Sequence, residues 1–446
     1  MRKLFGTDGI RGIAGKELSA DLAFRLGNAI AKIIDGVDGS TLLLASDTRI
    51  SCDMLEYAVA SGAAAGGMNV LRCGVMPTPA LALITKIHQC TGVMISASHN
   101  SFEFNGLKVI RNGYKLPDKD EEEIEDIILS GALKVYTEHK IGRITYYPQA
   151  RAEYIKYILN RFGKLKMGNS KGTLKIIMDV SNGAAFQISP EIMRTLGADV
   201  TVINDEPDGV NINLECGSQH TQRLGEYVIR EKADIGIAYD GDADRCILVD
   251  DEGKTIDGDK IMCICANYFK EMGILKNNTV VATVMSNLGT EKYLEKIGVR
   301  MLRSRVGDRY VLEKMMSTDS ILGGEQSGHI IFLDRSTTGD GLISSLTVLE
   351  AMEYFDRKLS ELIVDISEYP QVLENVRVED KDFIMQSEEL NEFINKIKTE
   401  LSDRGRVLLR PSGTEPLIRV MLEGTDMGEI KKYCSSILEM VRGLNA

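Results

Sequence analysis

Short apolar runs alternate along this chain with segments of helical period. TLLLA (41–45) comes before an alanine-rich stretch near 53–65, and NVLRC (69–73) comes before PTPALALITKI. GVMISA (92–97) then breaks abruptly into Ser, His and Asn. Continuous apolar runs bounded by polar turns predict strands covered on both faces, and their alternation with helices predicts α/β units. After the lysine- and glycine-rich GKLKMGNSKG (163–172) the cycle restarts with TLKIIMDV, DVTVI, ADIGIAY and CILVDD. A third cycle runs from GDKIMCICANYF through TVVATV, RMLRSRV, ILGGE and HIIFL to the helix GDGLISSLTVLEAMEYF. Three cycles predict three related α/β domains with mixed sheets, at residues 1–150, 151–255 and 256–368.

The tail has another rhythm. NVRVE, the helix SEELNEFINKIKTEL, RVLLR, LIRVMLE and a last helix from Thr425 place two adjacent strands between two helices. That order predicts a small C-terminal α+β domain over 369–446, packed as a separate unit.

Composition narrows the class without changing this picture. Of 446 residues, 43% are hydrophobic and 26% charged, ample for several cores, and the net charge is −12. Such an acidic chain is not expected to bind nucleic acid or a membrane surface broadly, though local cationic pockets remain open to it. No apolar run reaches the length of a membrane span and MRKLFGTDGIRG is not signal-like, so a cytoplasmic location is expected. The eight cysteines contain no CxxC pair, which predicts reduced, mostly buried thiols rather than zinc or disulfides.

Four polar clusters and one serine loop interrupt the apolar pattern. YDGDADR (239–245) crowds Asp240, Asp242 and Asp244 together, which suits a hard divalent ion held by oxygen. An acidic turn between two strands is the plainer alternative. LRPSGTEPLIRV (409–420) sets Arg410 and Arg419 around Ser412, Gly413 and Thr414, a set fit for a phosphate dianion or simply a strand-connecting turn. In LGGEQSGHI (322–330), Glu325, Ser327 and His329 alternate; an extended backbone would face all three to one side, toward a polyol. LFGTDGIRG (4–12) offers Arg11, with Arg49 of SDTR as a candidate neighbour. In ISASHNSF, Ser98 stands on a loop expected at the surface, where it serves either as helix cap or as nucleophile.

Together these residues point to phosphoryl transfer on a sugar, chemistry that rests on positioning and charge neutralisation. No Walker-type GxxxxGK[ST] occurs, which disfavours a P-loop kinase, and Ser98 and His99 are sequence neighbours rather than the separated partners of a serine-hydrolase triad.

The stretches ISASHN, DGDADR, GGEQSGH and RPSGTEP resemble, in order and over essentially the whole chain, the four signature loops of the α-D-phosphohexomutases. The resemblance implies the four-domain architecture of that family and one Mg²⁺ per chain, held by Ser98 as a phosphoserine with Asp240, Asp242 and Asp244. It implies catalytic roles near the transferring group for Ser98, Lys108, His329, Arg11 and Arg245. Glu325 and Ser327 would hold sugar hydroxyls, while Arg410, Ser412, Gly413, Thr414 and Arg419 would hold the non-reacting phosphate. The implied partner is a small-molecule sugar phosphate, with glucose or glucosamine 1,6-bisphosphate as activator and a homodimer as the assembly to consider.

Within the family, LFGTDGIRG, MPTPA, VGDRYV and Gln326 are most similar to bacterial members that interconvert glucosamine 6-phosphate and glucosamine 1-phosphate toward UDP-N-acetylglucosamine. A phosphomannomutase/phosphoglucomutase and a sugar-phosphate-binding regulator without catalysis are the alternatives. One departure stands out: Ser101 occupies the place where the family usually has proline, which would loosen the loop and add a second hydroxyl.

Overall fold

A computed structural model describes residues 4–6, 8–34, 40–137, 140–169, 172–412 and 415–445. The chain folds into two compact units, Met1–Met285 with Met301–Val364, and Ser286–Arg300 with Asp365–Ala446. The larger unit carries three α/β domains with mixed sheets.

In the first, the parallel strands Thr41–Ser46, Asn69–Val75 and Thr91–Ile95 form the middle of an eight-stranded sheet. In Thr41–Ser46 and Thr91–Ile95 the apolar side chains are buried on both faces, as the continuous runs required, whereas Asn69–Val75 leaves Val75 exposed. The register pairs Ser46 with Ile95, so the loops carrying Arg49 and Ser98 leave neighbouring carboxyl ends side by side. Phe104–Arg111 runs antiparallel to Thr91–Ile95 and carries Lys108 beside Met94. The hairpin Phe5–Gly6 and Gly9–Ile13 adds Arg11 on that same edge.

In the second domain, Lys175–Asp179 pairs in parallel with Asp199–Ile203 and Ile235–Tyr239. Ile235–Tyr239 then reverses into Cys246–Val249, with Tyr239 opposite Cys246, so 240–245 is a strand-connecting loop. In the third, Thr279–Thr283 and Leu322–Gly324 are parallel, and Ile330–Phe332 returns antiparallel. The helix Gly341–Phe355 is buried on nearly every side; its apolar residues recur all round, and the buried Ser344, Ser345 and Thr347 hydroxyls donate to backbone carbonyls of the helix and its cap.

The smaller unit has the antiparallel sheet order Gln371–Arg377, Leu417–Gly424, Gly405–Pro411. Its core joins Val376, Ile418, Val420 and Leu422 to Leu390, Ile394, Ile437 and Val441 of the flanking helices. It is therefore α+β. The tail expected over 369–446 forms this unit together with residues 286–300. Glu423, fully buried in its strand, accepts from Leu288 N at 3.2 Å, Arg406 Nε at 2.5 Å and Gln371 Nε2 at 2.9 Å. Arg406 also donates to Ser286 O at 2.7 Å, and Asn287 Nδ2 donates to Tyr369 O at 2.9 Å. A buried carboxylate must be compensated, and the segment from the third domain supplies part of that compensation. All eight cysteines are free, and all except half-buried Cys90 are buried. No described helix is long and apolar enough to cross a membrane.

Candidate active site

Ser98 is buried, at 1% exposure, and its φ of 53° lies in the left-handed region. The surface loop expected from the sequence is therefore corrected to a clamped one. Ser98 N donates to Ser96 Oγ at 2.9 Å. The Ser98 carbonyl accepts from Arg49 Nη2 at 3.1 Å and from Asn213 Nδ2 at 2.9 Å. Arg49, itself paired with Asp47, thus lies under the serine loop. A strained backbone persists only where surrounding contacts fix it, and here these contacts aim the hydroxyl. Ser98 Oγ donates to Asp240 Oδ2 at 2.6 Å. Ser101, by contrast, is exposed.

The aspartate loop approaches so closely that a Cβ on Gly241 would sit 2.6 Å from the Ser98 carbonyl oxygen. Glycine is needed for that contact. Asp240, Asp242 and Asp244 are all buried, and one oxygen from each lies within 4.8 Å of the others. Asp242 Oδ2 accepts from Lys108 Nζ at 2.7 Å and from Thr78 Oγ1 at 2.5 Å. Asp242 Oδ1 and Asp244 Oδ1 are buried without a hydrogen-bond donor. Orphaned carboxylate oxygens beside a third carboxylate and a serine hydroxyl are the donor set a hard divalent cation takes, so these residues fit Mg²⁺.

Charge is distributed unevenly across the cluster. Burial, reinforced by Asp244 and Asp242, pushes the Asp240 carboxyl well above its usual range. Burial also opposes ionisation of Asp244, but His329, Lys108 and Arg245 overcome it and hold that carboxyl far below. Lys108 is buried too, yet Asp242, Asp8 and Asp244 raise its ammonium above the ordinary lysine value. Lys108 thus stands among the aspartates and offsets part of their mutual repulsion.

His329 loses charge affinity through burial, and Asp244, Asp308 and Glu325 restore it, to a pKa of about 9. Its Nδ1 is 3.5 Å from Asp244 Oδ2. Gly339 N donates to Nε2 at 3.1 Å, which requires a lone pair there. An Nδ1–H tautomer meets both contacts, while the carboxylates at 3.5 and 3.8 Å are what raise the ring's affinity for a second proton. His99, 3.4 Å from Ser98 Oγ, is driven the other way by burial, Arg245 and Arg11, to about 4, and stays neutral. Arg245 is raised because Asp244 and Asp240 outweigh its burial, and Arg11 pairs with Asp8.

The segment with Glu325, Ser327 and His329 is a turn, not an extended strand. Gly328 N donates to Glu325 O, and Glu325 N donates to His329 O, both at 3.0 Å. His329 is consequently buried, Glu325 half-buried and Ser327 exposed, which corrects the expectation that all three face one side. Glu325 Oε1 accepts from Gly307 N at 3.0 Å, and Gln326 Nε2 donates to Asp257 Oδ2 at 3.1 Å.

In the smaller unit, Arg410 and Arg419 are directly opposite across an antiparallel pair. Like charges facing each other repel, and burial together with Arg419 lowers the Arg410 value. Glu415 reaches Arg419 only at 3.8 Å, and Arg419 Nε is buried with no acceptor. Ser412 is buried and holds the turn by accepting from Glu415 N at 3.3 Å. Gly413 and Thr414 lie outside the described residues. An anion between the guanidinium groups would relieve this arrangement. Arg419→Ala is expected to raise KM for sugar phosphate at least about tenfold with little loss of melting temperature, since it removes one charge-assisted contact and one repulsion. Steady-state kinetics and a melting curve check it.

Sequence reasoning did not find Asp8, Thr78, Lys115 and Asp308. Thr78 lies in MPTPA and Asp308 in VGDRYV, stretches used only as points of resemblance.

Family models for phosphoglucomutase/phosphomannomutase α/β/α domains I, II and III match residues 2–134, 152–253 and 257–369, and the C-terminal domain matches 373–440. The chain belongs to this family, the α-D-phosphohexomutases, and is an isomerase of the intramolecular phosphotransferase class. A phosphoglucosamine mutase of Thermosipho africanus is 47% identical over 99% of this chain and 98% of its own. One from Caldicellulosiruptor saccharolyticus is 48% identical over 99% of both. Among solved structures, a Burkholderia thailandensis phosphoglucomutase/phosphomannomutase family protein has a TM-score of 0.81 at 21% identity, covering 99% of this chain and 98% of that one. The Aspergillus fumigatus N-acetylphosphoglucosamine mutase, solved with GlcNAc-6P and magnesium, has a TM-score of 0.70 at 16% identity, covering 100% and 96%.

Proposed function

We propose that this protein interconverts glucosamine 6-phosphate and glucosamine 1-phosphate through a phosphorylated Ser98 and a 1,6-bisphosphate, supplying UDP-N-acetylglucosamine synthesis in the cytoplasm. The observation that carries the mechanism is Ser98 Oγ at 2.6 Å from Asp240, beside the orphaned oxygens of Asp242 and Asp244. The naming of relatives at 47% and 48% identity supports the choice of sugar.

Asp240, Asp242 and Asp244, with the Ser98 phosphate, would hold one Mg²⁺, which offsets phosphoryl charge and stabilises its transfer. Ser98 donates its phosphoryl group to a sugar hydroxyl: the bond from phosphorus to Oγ breaks, a bond to the sugar oxygen forms, and the proton the hydroxyl loses is balanced by the one that restores the Ser98 hydroxyl at Oγ. The bisphosphate then turns over and returns its other phosphoryl group to Oγ. Lys108, held as an ammonium, fits a role in charge neutralisation rather than as a base. His329, Arg11 and Arg245 would surround the transferring group. Glu325 and Ser327 would bind the sugar hydroxyls, and Arg410, Ser412, Gly413, Thr414 and Arg419 the distal phosphate. Glucose or glucosamine 1,6-bisphosphate would prime an unphosphorylated chain, and a homodimer is the assembly to test. The domain borders we assign are 1–150, 151–255, 256–368 and 369–446.

Gln326, whose amide NH₂ donates to Asp257 at 3.1 Å, is held with a defined orientation and suits an amino sugar. Glucosamine 6-phosphate is expected to exceed glucose and mannose phosphates in kcat/KM by at least about tenfold, or ~1.4 kcal/mol. Comparable values for the three would favour a broad phosphomannomutase/phosphoglucomutase. Binding without turnover would favour a regulator.

A further inference from the structure

VGDRYV brings a carboxylate to the site that no signature loop contains. Lys108 Nζ is 2.7 Å from Asp242 and 3.1 Å from Asp8. Asp8 also pairs with Lys115, and Lys115 Nζ is 2.5 Å from Asp308 Oδ2. That same oxygen is 3.8 Å from His329 Nε2, while His329 Nδ1 is 3.5 Å from Asp244. Lys108 closes the circuit at 3.9 Å from Asp244. The result is a ring in which acidic and basic side chains alternate.

Its members come from separate elements. Asp8 sits in the N-terminal hairpin, Lys115 ends the strand Tyr114–Lys115, and Asp308 begins the helix Asp308–Thr318 of the third domain. Lys108, Lys115 and Asp308 also line a cavity of about 350 Å³, whose wall includes Ile110, Leu312 and Ile331. With open space on one flank and side-chain exposures of 21% and 19%, Lys115 and Asp308 are oriented toward each other by their opposite charges. Removing one partner therefore frees the next.

We propose that Lys115 and Asp308 are positioning residues that hold Lys108 and His329 in register with the aspartate site. This rests on the phosphoryl-transfer reading above. The competing view is a brace between the first and third domains that affects stability alone. A displaced catalytic group loses rate steeply: an offset of about 1 Å can lower turnover ~10²-fold. The same offset leaves the distal phosphate contacts, and hence KM, nearly intact.

The experiment compares Lys115→Met, Lys115→Arg and Asp308→Asn in the full chain. Lys115→Met and Asp308→Asn are expected to lower kcat roughly 30-fold or more, with KM within about twofold. Lys115→Arg, which keeps the charge, is expected to restore at least about a third of wild-type kcat. Intact mass is expected to show Ser98 phosphorylated in all three. A kcat within about twofold of wild type in Lys115→Met would overturn the proposal. So would losses confined to melting temperature, or an arginine variant no better than methionine. Wild-type protein without turnover on any hexose phosphate would instead remove the underlying reading, an outcome visible before any variant is made.

Discussion

Replacing Ser98 with alanine is expected to abolish mutase activity, by at least about 10³-fold in kcat, because no second group stands where the phosphoryl must be held. The hydroxyl lies at 1% exposure, so its removal is not neutral for folding. Asp240 Oδ2 loses the donor 2.6 Å away, and a buried acceptor left without one costs about 1–3 kcal/mol. Asp240 can answer by taking a proton, since burial and its two neighbours already raise its pKa, so the loss should fall at the lower end. Ser101→Ala is the control: its side chain is exposed, and a sizeable fraction of activity should remain. Steady-state rates, melting curves and peptide mass spectrometry of the phosphorylated protein check all three expectations. Phosphate located on Ser101 would move the nucleophile and overturn the assignment.

What the sequence made legible follows the range of the forces involved. The runs TLLLA and GVMI announce doubly covered parallel strands because burial acts on every residue of the strand. DGDADR is legible because like charges in adjacent positions demand an explanation wherever they are placed. Thr78 and Asp242 are 164 residues apart, and Lys115 and Asp308 are 193 apart. No local period encodes contacts of that reach, so nothing within GYKLP or VGDRYV marks Lys115 and Asp308 as partners.

The misplaced face of Glu325, Ser327 and His329 has a different cause. Alternation was interpreted as a strand, although the Ser-Gly pair within GEQSGH is itself a turn signal. The tail shows a third limit. Glu423 in LIRVMLE marks a buried charge that needs donors, yet the sequence does not say that Leu288 and Arg406 supply them. A chain cut near Tyr369 would therefore leave the segment 286–300 without its partners, so the point variant Arg419→Ala tests the phosphate grip more cleanly.

Exhaustive chelation is expected to remove activity and added Mg²⁺ to restore it, and two isosteric substitutions should divide the contributions of the aspartates. At a free ion concentration a hundred times Kd, binding adds about 2.7 kcal/mol to the folded state, which a melting curve reads directly. Asp240→Asn should lose most of that increment. In the ion-free protein it should be as stable as wild type or more so at neutral pH, because Asp240 is the carboxyl that burial, Asp244 and Asp242 most oppose ionising. The sign follows from linkage. A raised folded-state pKa means that stability falls as pH rises from the ordinary carboxylate range toward the raised value, and the amide, which never ionises, escapes that loss.

Asp242→Asn should behave differently. It removes the carboxylate 2.7 Å from Lys108, leaving a buried ammonium with weaker compensation from Asp8 and Asp244, so the ion-free protein should be less stable than wild type. Both variants should turn over far more slowly than wild type at saturating Mg²⁺. Equal ion-free stability of the two would mean that Lys108 does not depend on Asp242. Full activity after chelation, with elemental analysis finding no residual metal, would remove the ion from the reaction altogether.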